Sequence, residues 1–234
     1  NDLVEEYFIS DENRVYTIRI RQDVLWHDET PLTVDDVIFT FNAITDSELK
    51  SPLRSSFAGV EVERLGDYRF RFILTDPYAA FLDLLTFGII PSHLWSQVQP
   101  DTFTLASLNL KPIGSGPYRF KIMIRDNDSG QIKSYELEVS ELYYGEKPLV
   151  DLTFSFYPNF QTAVIALNDG LVDGMSYLPL DYKSELLTPK AYNYHRMYLP
   201  QLTAIFLNQN RNEALKDVKV SQALAYAIDK NRNI

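Results

Sequence analysis

"YTIRIRQDVLWHDETPLTVDDVIFTF", residues 16–41, joins two different periodicities across one polar loop. Up to Arg21 the apolar Tyr16, Ile18 and Ile20 alternate with the polar Thr17, Arg19 and Arg21, the period of a strand with one buried face. Beyond Pro31 the apolar Val34, Val37, Ile38, Phe41 and Ile44 recur at the spacing of one helix face. Thr33 and Asp36 stand at capping-box spacing, and Asp35 and Asp36 put negative charge on the positive end of the helix dipole. The stretch therefore predicts a strand running into Val24, a loop, and an amphipathic helix. Capping accounts for the acidic pair without invoking chemistry. His27 beside Asp28 and Glu29 reads as a polar strand-to-helix loop, because His93 and His195 are far away in sequence and show no metal-ligand spacing.

Composition narrows the function classes. The chain has 234 residues, 45% hydrophobic and 23% charged, enough for a substantial core and unlike a disordered segment. A net charge of −10 offers no basic field for nucleic acid, and an anionic membrane surface is disfavoured as well. The longest apolar run, "FLDLLTFGII", contains an acid and is too short to span a bilayer. Cysteine is absent, which removes disulfides, thiolate metal sites and cysteine nucleophiles together. Aromatic residues are abundant, with 15 Tyr and 14 Phe; most are expected in the core, although such side chains also suit ligand grips.

"GVEVERL" (59–65) and "YRFRFILT" (68–75) alternate on either side of Gly66-Asp67 and predict a β-hairpin. "DPYAAFLDLLTFG" predicts a short helix with Asp76 as cap, and "IIPSHLWSQV" a turn and a second short helix. Two prolines and two glycines fall within residues 112–117, a turn-rich joint before the strand-like "PYRFKIMI". Ser115 in this joint is not a nucleophile elbow, since Ile113 and Pro117 occupy the positions where that motif needs glycine and a strand follows. Further on, "SYELEVS" reads as a strand followed by "GEKPLVDLTFSFYP", "NFQTAVIALNDG" as a helix ending at Gly170, and "LTAIFLN" (202–208) as a buried strand. "DVKVSQALAYAIDK" reads as a helix capped by Asp217. The second half alternates strand and helix as an α/β lobe does, while the first is richer in hairpin strands.

Four stretches in order resemble the family 5 extracellular solute-binding proteins, the oligopeptide-, dipeptide- and nickel-binding components of ABC importers. Residues 16–41 resemble its signature strand, loop and helix, with His27-Asp28-Glu29-Thr30-Pro31 where the family usually has His-Asp-Gly-x-Pro. "IGSGPYRF" is similar to its Gly-Thr-Gly-Pro-Tyr joint. "YYGEKPLVDLTFSFYPNFQTAVIALNDGLVDG" resembles the segment in which Gly-x-x-Pro leads to a strand, a helix and a Gly-x-x-Asp turn. "FLNQNRNEALKDVKVSQALAYAIDK" resembles the Asn-containing strand and the helix ending Ala-Ile-Asp. Two positions depart: Glu29 replaces the usual glycine, so the loop must avoid positive φ there or carry strain, and Ser221 stands where arginine is common.

The resemblance implies a fold, a division and a role. The fold is α/β in the mixed α+β sense, a type II periplasmic-binding-protein-like lobe with a small β-rich inserted subdomain. Residues 1–112 would form that subdomain, and residues 113–234 part of the lobe's α/β core, with the second lobe outside this chain. The implied mechanism is closure of two lobes on a solute, which is then delivered to a permease, with no catalytic residue, no cofactor and no metal. Peptide binders of the family hold an extended chain partly through its backbone, with roomy side-chain pockets. A monomer, located outside the cytoplasm in the periplasm or on a lipid anchor, is expected; with half the ligand contacts elsewhere, this chain alone would bind poorly. On the cleft face the resemblance places Met175, Ser176 and Tyr177 after the Gly-x-x-Asp turn and Gln201, Leu202 and Thr203 at the Asn-containing strand. Phe87 and Ser140 map near positions that meet ligand in nickel-type relatives; Ser140 lacks the basic group that would suit an anionic chelate. Alternatives are an oligosaccharide or metal chelate in the same fold, a solute-sensing domain of a regulator, and an enzyme using His27 with Asp28 or Glu29 as acid and base.

Overall fold

In a computed structural model, which describes residues 2–196 and 204–228, β2 (Val15–Ile20) buries Tyr16, Ile18 and Ile20 and leaves the intervening residues half-exposed, as their alternation predicts. It is central in a four-stranded antiparallel sheet of order β1-β2-β4-β3, with β1 at Val4–Ser10, β3 at Val60–Arg64 and β4 at Arg69–Leu74. The β3–β4 hairpin pairs Val62 with Phe72, and on β4 the inward residues are Phe70, Phe72 and Leu74. Helix α1 (Val34–Thr45) places Val34, Val37, Phe41 and Ile44 in the same core cluster as these strands. Aromatic rings fill this core: Phe41 stands edge-on to Phe57 at 5.6 Å and tilted against Phe72 at 5.2 Å, and Tyr16 lies tilted against Phe81 at 4.7 Å. Each fully buried side chain of this kind contributes roughly 1.5–3 kcal/mol, but many other aromatics, such as Phe8, Phe154, Phe156 and Tyr177, are exposed.

Strand β1 was not legible in the sequence. Its register slips between Val4 and Glu6, which breaks the alternation, and Tyr7, Phe8 and Ile9 remain substantially exposed on this edge strand. Asp11, Glu12 and Asn13 turn the chain into β2 with φ of 51°, 52° and 68°, a left-handed turn that Asp and Asn tolerate better than most residues.

Past the joint at residues 112–117, three strands form an antiparallel sheet of order β5-β6-β7: Tyr118–Arg125, Ile132–Val139 and Leu152–Ser155. Helix α4 (Phe160–Asn168) follows; Asn159 caps it by accepting from the Thr162 N–H at 2.9 Å, and Gly170 at φ 69° ends it. The helices around Phe81 and Ser92 are single turns, α2 (Phe81–Leu84) and α3 (Ser92–Trp95). Asp76 does not cap α2, whose N-cap is Ala80; the Phe81 N–H bonds to the Tyr78 carbonyl and the buried Phe81 ring fixes where the turn begins.

The chain divides into two compact units, Asn1–Leu187 and Thr188–Ile234. Within the second, α5 (Val218–Ala227) is capped as expected by Asp217, which accepts from the Lys219 N–H at 2.9 Å, and none of its residues is buried. Residues 204–208 of the expected strand "LTAIFLN" are not a strand, and Phe206 is 92% exposed. A strand exists only through its ladder partners, and this run has none among the described residues.

Candidate functional site

The loop of residues 25–31 is closed by an antiparallel bridge between Leu25 and Pro31 and by the Trp26 N–H on the Thr30 carbonyl at 2.8 Å. So tight a turn forces Glu29 to φ 72°, the strained alternative foreseen for a residue standing where glycine is usual. At its tip, His27 faces the glycine joint rather than solvent. The Gly114 N–H donates to His27 Nδ1 at 3.2 Å, the ring's Nε2 lies 2.9 Å from the Gly116 carbonyl, and the His27 N–H reaches the Gly114 carbonyl at 2.8 Å. Since Nδ1 accepts, Nε2 carries the proton and donates it. Both ring nitrogens are occupied by backbone, so this imidazole has none left to act as a base.

His93 is not remote from this loop, contrary to its place in the sequence: its Nε2 lies 2.7 Å from Asp28 Oδ2. Burial works to raise the Asp28 pKa, but hydrogen bonds from His93 and Thr30 outweigh it, so the carboxyl sits below its ordinary value. The buried Asp36 does more than cap α1. Its Oδ2 accepts from the Thr33 N–H at 2.9 Å and from the Trp26 indole at 3.2 Å, and its Oδ1 accepts from the Ser92 N–H and hydroxyl at 2.8 and 2.7 Å. One carboxylate thus fastens the loop, α1 and α3. Among the described residues no group of three or more His, Asp or Glu side chains is arranged to hold a metal ion.

The residues expected on a cleft face are placed as follows. Phe87 is half-buried with its ring edge-on to Phe57 at 5.4 Å, at the margin of the aromatic core. Ser140 is buried beside the joint: its N–H bonds to the Pro117 carbonyl at 2.9 Å, and its hydroxyl has no partner among the described residues. Met175 is half-buried, Ser176 and Tyr177 are exposed, and the Tyr177 ring lies 5.9 Å from Phe160. Phe160 also stands 6.1 Å from Tyr182, so one aromatic that the sequence did not single out touches both Tyr177 and Tyr182. Gln201, Leu202 and Thr203 lie outside the described residues. No hydrogen bond or ring contact joins Phe87, Ser140 and Tyr177 to one another among the described residues. Two clefts, of about 660 and 270 Å³, lie near the end of α1 and beside β4, and neither is lined by any of these residues.

A strand, a clasped His-Asp loop, a capped helix and a glycine joint thus follow one another in this order. The sequence model of the bacterial extracellular solute-binding proteins, family 5, matches residues 1–234. The chain belongs to that family. Among its curated relatives, the oligopeptide-binding protein AppA of Bacillus subtilis is 30% identical over 94% of this chain and 40% of its own length. The dipeptide-binding protein of Escherichia coli is 29% identical over 98% of this chain and 45% of its own. Among solved structures, NikZ of Campylobacter jejuni in complex with Ni(L-His) superposes with a TM-score of 0.80 at 31% identity, covering 98% of this chain and 45% of that one. The family 5 chain described here therefore has the periplasmic-binding-protein fold and spans less than half the length of these relatives. Among the described residues no helix is long and apolar enough to cross a membrane.

Proposed function

We propose that the protein carrying this chain is the extracytoplasmic receptor of an ABC importer for short peptides, closing two lobes on the solute and handing it to a permease. The observation that supports this reading is the similarity, over nearly the whole chain, to proteins named for oligopeptide and dipeptide binding. In this reading residues 1–112 are the inserted β-rich subdomain and residues 113–234 part of the first lobe's core. Phe87, Ser140, Met175, Ser176, Tyr177, Gln201, Leu202 and Thr203 face the cleft, the peptide backbone pairs like an added strand, and no covalent chemistry occurs. The protein acts as a monomer, in the periplasm or on a lipid anchor.

Calorimetric titration of the full-length protein tests this with a dipeptide, a pentapeptide and Ni(L-His). Micromolar or tighter binding of a peptide supports the proposal. Binding of Ni(L-His) with none for either peptide would replace the ligand class.

A further inference from the structure

The chain that leaves α1 borders an open cleft of about 660 Å³ between the helix end, the turn at residues 46–53, the single 3-10 turn Arg54–Phe57 and the start of β3. Thr45, Ser47, Ser51 and Ser55 bring hydroxyls to its wall, and Lys50 and Arg54 are the charged side chains that line it; no carboxylate does. That is unexpected in a chain with 32 acidic and 22 basic residues. Many basic side chains of the same unit hold acids, as Arg19 holds Glu5 and Glu6, Arg71 holds Glu63, and Lys133 holds Asp126, although Arg69 and Lys111 do not among the described residues.

In the cleft the cations are free to take something else. Arg54 uses Nε on the Thr45 carbonyl at 3.0 Å, which closes the helix end and aims the guanidinium, and its two terminal nitrogens have no partner among the described residues. Lys50, exposed, has no hydrogen bond or ion pair among them. Asp46 and Glu48 belong to the same turn, but the Asp46 carboxylate accepts the Glu48 N–H at 2.8 Å and neither residue lines the cleft. Lys50 is also held at φ 51°, a left-handed conformation that a lysine adopts only when its surroundings impose it. Two unpaired cations in a concave wall of hydroxyls concentrate positive potential, and the planar donors of arginine match a phosphate or carboxylate.

We infer that this cleft is an anion-binding site, separate from the proposed solute cleft, which takes a phosphate-type group carried either by a small molecule or by a lipid headgroup. The test uses the 15N-labelled full chain, with inorganic phosphate titrated at ionic strength held constant by sodium chloride. Saturable amide shifts confined to residues 45–59, weakened about tenfold or more by Lys50→Gln, support the site. Because Lys50 is exposed and makes no structural bond, that variant is expected to fold; Arg54→Gln, which removes the bond to Thr45, is the harsher second variant. Shifts no larger than those from chloride alone, or unchanged in Lys50→Gln, would overturn the inference. Co-sedimentation with phosphatidylglycerol vesicles, but not phosphatidylcholine vesicles, in a Lys50-dependent manner assigns the anion to a headgroup. Phosphate binding without vesicle binding assigns it to a soluble molecule.

Discussion

His27 couples two segments that are 87 residues apart in sequence, and its removal would leave the Gly114 N–H and the Gly116 carbonyl facing a void. Orphaned, partly buried groups of this kind cost about 1–3 kcal/mol. His27→Ala should therefore lower unfolding stability by roughly 2 kcal/mol, measured by urea denaturation, whereas an unchanged midpoint would contradict the clasp. Glu29→Gly should act in the opposite direction. It relieves left-handed strain but adds freedom to the unfolded chain, for a net stabilisation of about 0.5–1 kcal/mol. Asp28 gives a pH signature. Its folded pKa lies below the ordinary 3.8, so its contribution is complete above that value and disappears as pH falls through the lowered one. Stability curves of the parent and Asp28→Asn should converge on acidification below about pH 4; a constant gap would mean that the His93 contact depends on shape alone. That contact spans 65 residues and had no local signal in the sequence, which is why His93 read as unrelated to the loop.

At the scale of elements, α1 was legible because all its determinants are local: the apolar face, the Thr33–Asp36 box and the acids of the first turn. Thr33→Ala, which removes the side-chain acceptor of the Asp35 N–H, should cost about 1 kcal/mol in the same denaturation assay; no loss would mean that Asp36 holds the helix end unaided. What could not be read is what the rest of the fold supplies to Asp36, namely Trp26 and Ser92, since those donors arrive only when three elements meet. The same division explains the strands. The β3–β4 hairpin announced itself through alternation around Gly66-Asp67, but the bulge in β1 hid its period, and the apolar run at 204–208 has the composition of a strand without a ladder partner among the described residues. Of the candidate site, the resemblance supplied Tyr177 through a motif position, and only the fold brought Phe160 to it.

For the whole molecule, a net charge of −10 offers no basic field for nucleic acid. Family membership follows from the match over residues 1–234, and the chain spans 40–45% of the length of the relatives named for peptide binding. The most direct test of the peptide-receptor account is native mass spectrometry of the full-length protein, purified without denaturant so that its solute travels with it. The account predicts a spread of added masses matching short peptides of varied sequence. A single discrete mass matching a sugar or a metal chelate would contradict it.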